Sequence, residues 1–73
     1  MRIHEYAIRN VGDVWEVRLD GHIKSGQPTR TAALHFADAL AQAAADRGSW
    51  SKIVVFDGDD GSLEFPTIGP APD

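Results

Sequence analysis

Apolar and polar positions divide the chain into four strand-like runs and one helix. From Ile3 to Asn10, Tyr6 and Ile8 stand two apart, the spacing of one strand face. Asn10-Val11-Gly12-Asp13 is a turn signal, because Gly and Asx residues tolerate positive φ. From Val14 to Leu19, Trp15, Val17 and Leu19 fall on one face and Val14, Glu16 and Arg18 on the other. That alternation predicts a half-buried strand paired with the first as a hairpin.

Residues 20–28 are less regular. Asp20-Gly21 is a turn dipeptide and Ser25-Gly26-Gln27-Pro28 is loop-like, while His22-Ile23-Lys24 offers a brief extension of the sheet. Thr29 or Thr31 then supplies an N-cap oxygen, with no Glu or Gln three residues on to complete a capping box. Residues 32–47 follow as a helix dense in alanine, the strongest helix former. Ala33, Phe36, Ala37, Leu40 and Ala44 share one stripe, and Thr31, His35, Asp38, Gln42 and Asp46 lie opposite. Arg47 complements the helix dipole, and Gly48 suits the position just past its end.

The third strand spans residues 51–57 around Ile53-Val54-Val55-Phe56, and the fourth spans Ser62 to Phe65 after an Asp-Gly loop. The expected fold is α+β, in the order ββαββ. It has a four-stranded, mainly antiparallel sheet with the helix packed on one face. Phe36 and Leu40 should meet Trp15 and Val17. Residues 1–66 form one domain, and 67–73, with two of the four prolines, form a flexible tail.

Length and charge narrow the functional classes. Seventy-three residues make one small domain that buries roughly 60% of its unfolded surface, too little for a deep cleft. With no cysteine, disulfides, thiolate metal sites and thiol nucleophiles are excluded. The net charge of −4 is uneven: residues 53–73 carry five acids and no base. An acidic third repels phosphate, so nucleic acid is a poor default partner. The first residues lack a signal peptide's apolar core, and no run reaches the roughly 18 apolar residues of a membrane span. The expected compartment is the cytoplasm.

The candidate chemistry is sparse. Asp57, Asp59, Asp60 and Glu64 miss the calcium-loop spacing, since Gly61 stands at the fifth position and Glu64 at the eighth. His4, His22 and His35 show no local metal spacing. Ser25, Ser49, Ser51 and Ser62 are nucleophiles by type only, and none sits in a Gly-x-Ser-x-Gly elbow. No catalytic residue, cofactor site or metal site is therefore assigned, and the chain is expected not to be an enzyme.

The strongest functional signal is an apolar run with no second helix to cover it. A strand apolar on both faces is normally buried on both. The helix-free face, with Val14, Glu16, Arg18 and an alternate pair from Ile53, Val54, Val55 and Phe56, is therefore the expected interface. Trp50 is an additional candidate, since exposed tryptophans are frequent interface anchors. The cheapest partner is a second copy of the chain, giving a homodimer. The bland alternative has Arg18 and other long side chains lying over that face. Two other readings are a nucleic-acid-binding accessory protein using Arg2, Arg9, Arg18, Lys24 and Arg30, and a small acidic inhibitor of a basic host protein.

Trp15-x-Val17, Gly21, the loop leading to Thr31, the alanine-rich helix, and Ile53-x-Val55 with its Asp-Gly loop form a recurring shape. Over residues 11–65 it resembles a family of small, uncharacterised bacterial proteins. The resemblance implies the ββαββ fold and a bacterial source, and carries over no activity.

Overall fold

The computed structural model describes residues 3–56 and 61–70. The order is β1 (Ile3–Val11), β2 (Val14–Leu19), β3 (His22–Gln27), α1 (Arg30–Asp46), β4 (Trp50–Phe56) and β5 (Ser62–Glu64). The expected α+β class holds. The sheet, however, has five strands in the order β3-β2-β1-β4-β5, and it is mixed: β1 and β4 run parallel and the other neighbours antiparallel. This corrects the four-stranded, mainly antiparallel expectation.

One misjudged segment causes both differences. His22-Ile23-Lys24 is not a brief extension but part of a six-residue strand running to Gln27. With two strands before the helix, the chain would return antiparallel to β1. The third strand reverses that parity, so α1 carries the chain back to the starting end of β1 and β4 enters parallel to it. The pattern concealed β3 because it is an edge strand with one covered side. It is polar, contains Gly26, and shifts register between Val17 and Arg18.

The hairpin turns follow their sequences. Gly12, at φ 64°, opens the two-residue β1–β2 turn. Asp20 and Gly21, at φ 50° and 90°, make the β2–β3 turn with both central residues left-handed, the geometry that Asp-Gly favours. Thr29 caps α1, its Oγ1 accepting from the Ala32 N–H at 3.0 Å. At the far end Gly48 is left-handed. Its N–H donates to the Ala45 carbonyl and that of Ser49 to Ala44, satisfying two terminal carbonyls.

Between helix and sheet lies one core. Tyr6, Ile8, Val17, Ile53 and Val55 face Ala33, Ala37 and Ala41. Trp15, Leu19, Leu34, Phe36 and Leu40 are only partly buried at its margin. The helix thus rests on alanine rather than on Phe36 and Leu40, as the sequence stripe implied. Small side chains let its axis approach the sheet, and the larger ones splay to either side.

Residues 67–70, expected to begin a tail, run beside β4. Ser51 and Ile68 exchange two backbone hydrogen bonds, at 2.8 and 2.7 Å. The Phe65 N–H donates to the Ile53 carbonyl at 3.0 Å. The Trp50 ring lies over Gly69, where any Cβ would collide with it. Sequence could not show this docking, because two backbone hydrogen bonds and one glycine–ring contact leave almost no compositional trace. Among the described residues, no helix is long and apolar enough to cross a membrane.

Candidate functional site

The parallel register between β1 and β4 decides which apolar pair each side of the sheet receives. Ile53 and Val55 pair with Tyr6 and Ile8 and point to the helix, 4% and 0% exposed. They belong to the core and are not available to the interface for which they were candidates. Val54 and Phe56 take the helix-free face, along with Val14, Glu16 and Arg18. Trp50 has the same parity and is half-buried against Gly69.

Charged side chains span much of this face. Arg18 Nε donates to Glu16 Oε1 at 3.0 Å. Lys52 Nζ stands between Glu5 and Glu64, at 3.6 and 3.5 Å. The Arg9 guanidinium sits 5.1 Å from the centroid of the Phe56 ring. Beneath them Val54 is only 3% exposed. Apolar residues remain open toward the ends: Val11 and Val14 at the hairpin, Ile23 on β3, and Ile3 at the start of β1. Val14 lies over Gly26, with its Cγ1 only 2.7 Å from where a Gly26 Cβ would sit.

On the helix side the strands bring together groups far apart in sequence. The left-handed turn aims the Asp20 carboxylate at β1. Its Oδ1 accepts from the Glu5 N–H at 3.1 Å, and its Oδ2 lies 2.7 Å from His4 Nδ1. Burial raises the Tyr6 phenol above the ordinary tyrosine range, with the Arg47 guanidinium opposing and the Asp20 carboxylate adding to the shift. The register also sets Ser51 beside His4 on the neighbouring strand, with Asp20 reaching His4 from the β2–β3 turn. They do not form a nucleophilic triad. Ser51 is fully buried, and its Oγ makes no hydrogen bond among the described residues.

That isolated hydroxyl leads to a prediction about stability. A buried, unpartnered polar group costs about 1–3 kcal/mol, and alanine keeps nearly the same shape. Ser51→Ala should therefore raise the unfolding free energy by about 1 kcal/mol, read from urea denaturation. A loss of that size would mean that the hydroxyl has a partner.

A groove of about 400 Å³ lies beside α1. Leu34, His35, Asp38 and Gln42 form its helix wall, and Phe65, Pro66, Thr67 and Ile68 face them. Ile53 contributes from β4. The groove lies where the 65–68 segment, hydrogen-bonded to β4 at Ile53 and Ser51, runs beside α1. In the sequence, His35, Asp38 and Gln42 mark only the helix face opposite the apolar stripe. Nothing in the sequence shows that a second wall stands opposite them.

Asp57, Asp59 and Asp60 lie outside the described residues. Among the described residues, no three His, Cys, Asp or Glu side chains gather as a metal site. The basic residues of the nucleic-acid reading are spread out: Arg9 and Arg18 are on the helix-free face, Lys24 is on β3 and Arg30 begins α1. Arg2 is outside the described residues. Comparison of the chain with protein-family models, curated proteins and solved structures returned no match.

Proposed function

We propose that this chain is a small, non-enzymatic interaction domain that pairs with a second copy of itself through the helix-free sheet face. The observation that carries this reading is the distribution of exposed apolar side chains. Of five exposed large hydrophobics among the described residues, Ile3, Val11, Val14 and Ile23 share this face, while Leu63 has the parity of Val55. They stand at both ends of the face and on its β3 edge, around the charged side chains, so a second sheet laid on this face would cover all four.

Size and charge support a second copy as the partner. Four strands 20–30 Å long and the three-residue β5, about 4.8 Å apart, offer roughly 500 Å² per copy. Two copies would reach the roughly 1,000 Å² expected of a specific interface. The face carries Arg9, Arg18 and Lys52 against Glu5, Glu16 and Glu64, an equal number of each sign. A two-fold axis can therefore place each charge against its opposite.

Light scattering over a dilution series tests the proposal. The parent should give twice the 7.9 kDa chain mass. Val14→Asp puts a carboxylate into the apolar end, and Arg18→Glu sets like charge beside Glu16. Both variants should be monomers with the parent's circular dichroism. A parent that is monomeric throughout, or variants that both keep its mass, would rule out this interface.

A further inference from the structure

We infer that the groove between α1 and the 65–68 segment is a binding site for a small amphipathic cation, an aromatic or branched-alkyl body carrying one ammonium or guanidinium group. The site is separate from the helix-free face and does not depend on the dimer.

Three observations combine. Its volume, about 400 Å³, lies in the range of sites that enclose small organic ligands. Its apolar surface comes from different elements: Leu34 on the helix, Ile53 on β4, and Phe65 and Ile68 on the returning segment. The Ile68–Ser51 backbone pair, the Phe65–Ile53 hydrogen bond and the Trp50–Gly69 packing hold that segment. The wall opposite α1 is thus preformed, which reduces the ordering cost of binding.

Charge selects the ligand class. Asp38 lines the groove, neither lysine nor arginine lines it among the described residues, and no ion pair engages Asp38 there. One turn further along the same ridge, Gln42 offers an amide oxygen. A ligand with its apolar body between Leu34 and Phe65 can place a cationic head against Asp38 while the head stays partly hydrated. A carboxylate in the same place would be repelled by Asp38, with the side chains of His35, Gln42 and Thr67 as its only hydrogen-bond donors in the lining. A neutral ligand would gain the apolar contact alone.

The test is amide chemical-shift titration of the full chain with 2-phenylethylamine, 2-phenylethanol and 3-phenylpropionate. These probes have similar bodies and differ in head charge. The amine should cause saturable shifts at Asp38, Gln42, Ile53 and Ile68, and bind more tightly than the alcohol or the acid. Asp38→Asn, at an exposed position, should weaken the amine roughly two- to fivefold, the range of an exposed charge pair, and leave the alcohol unchanged. No saturable shift with the amine, no preference for it over the acid, or equal amine binding by Asp38→Asn would each overturn the inference.

Discussion

Replacing Ile8 with alanine will lower the unfolding free energy by about 3 kcal/mol, within the usual range for removing a buried isoleucine side chain. Ile8 is completely buried on β1, the central strand. Its cross-strand partners, Val17 and Val55, are also fully buried. Truncation would therefore leave a gap enclosed by strands on both sides and by the alanines of α1, with little room to collapse. At roughly 0.05–0.15 kcal/mol per residue, a domain of this size has a total stability of only about 4–11 kcal/mol. The loss would thus be a large fraction of the whole. Leu63→Ala, at a position 48% exposed and off the proposed interface, should cost about 0.5 kcal/mol or less. Urea midpoints for the two variants decide the matter, and equal losses would place the hydrophobic centre elsewhere.

The second large effect is expected where the helix meets the sheet. Ala37 is fully buried against the core, whereas Ala39, two residues on, is exposed. Leucine is nearly as good a helix former as alanine, so propensity scarcely distinguishes the two sites. At Ala37 the larger side chain must force α1 away from β1 and β4 or take a strained rotamer, at a cost of about 1–3 kcal/mol. Ala39→Leu should leave stability almost unchanged. Thermal unfolding of both variants is the check. If Ala37→Leu is also tolerated, the helix does not approach the sheet as closely as described. A loss at both positions would point to the helix itself rather than its packing.

The same contrast explains why the core was only partly legible. Ala33, Ala37 and Ala44 were on the predicted buried stripe and are buried. Phe36 and Leu40, the stripe's largest members, are only partly so. Periodicity gives the direction in which a side chain leaves the helix, but not the distance between helix and sheet. That distance depends on the smallest residues in the contact, here a row of alanines. The candidate interface was legible to a similar degree. Alternation separated Val14, Glu16 and Arg18 from Trp15, Val17 and Leu19, and the register agrees. It could not divide the unbroken run Ile53-Val54-Val55-Phe56, where both faces carry apolar residues. Only pairing with β1 assigns Val54 and Phe56 to one side and Ile53 and Val55 to the other.

By itself the sequence determined the local features: the Gly12 and Asp20-Gly21 turns, Thr29 as one of two cap candidates, the Gly48 stop, and an alanine-rich helix among strands. Each depends on interactions within a few residues, so short stretches of sequence contain the cause. Tertiary structure decided what depends on partners distant in the chain. A third strand before α1 made β4 parallel to β1, and β4 in turn held Ile68 and Phe65. That docking raised a second wall beside the helix ridge of His35, Asp38 and Gln42. The groove has no local signature because its two walls come together only when backbone hydrogen bonds join segments far apart in sequence.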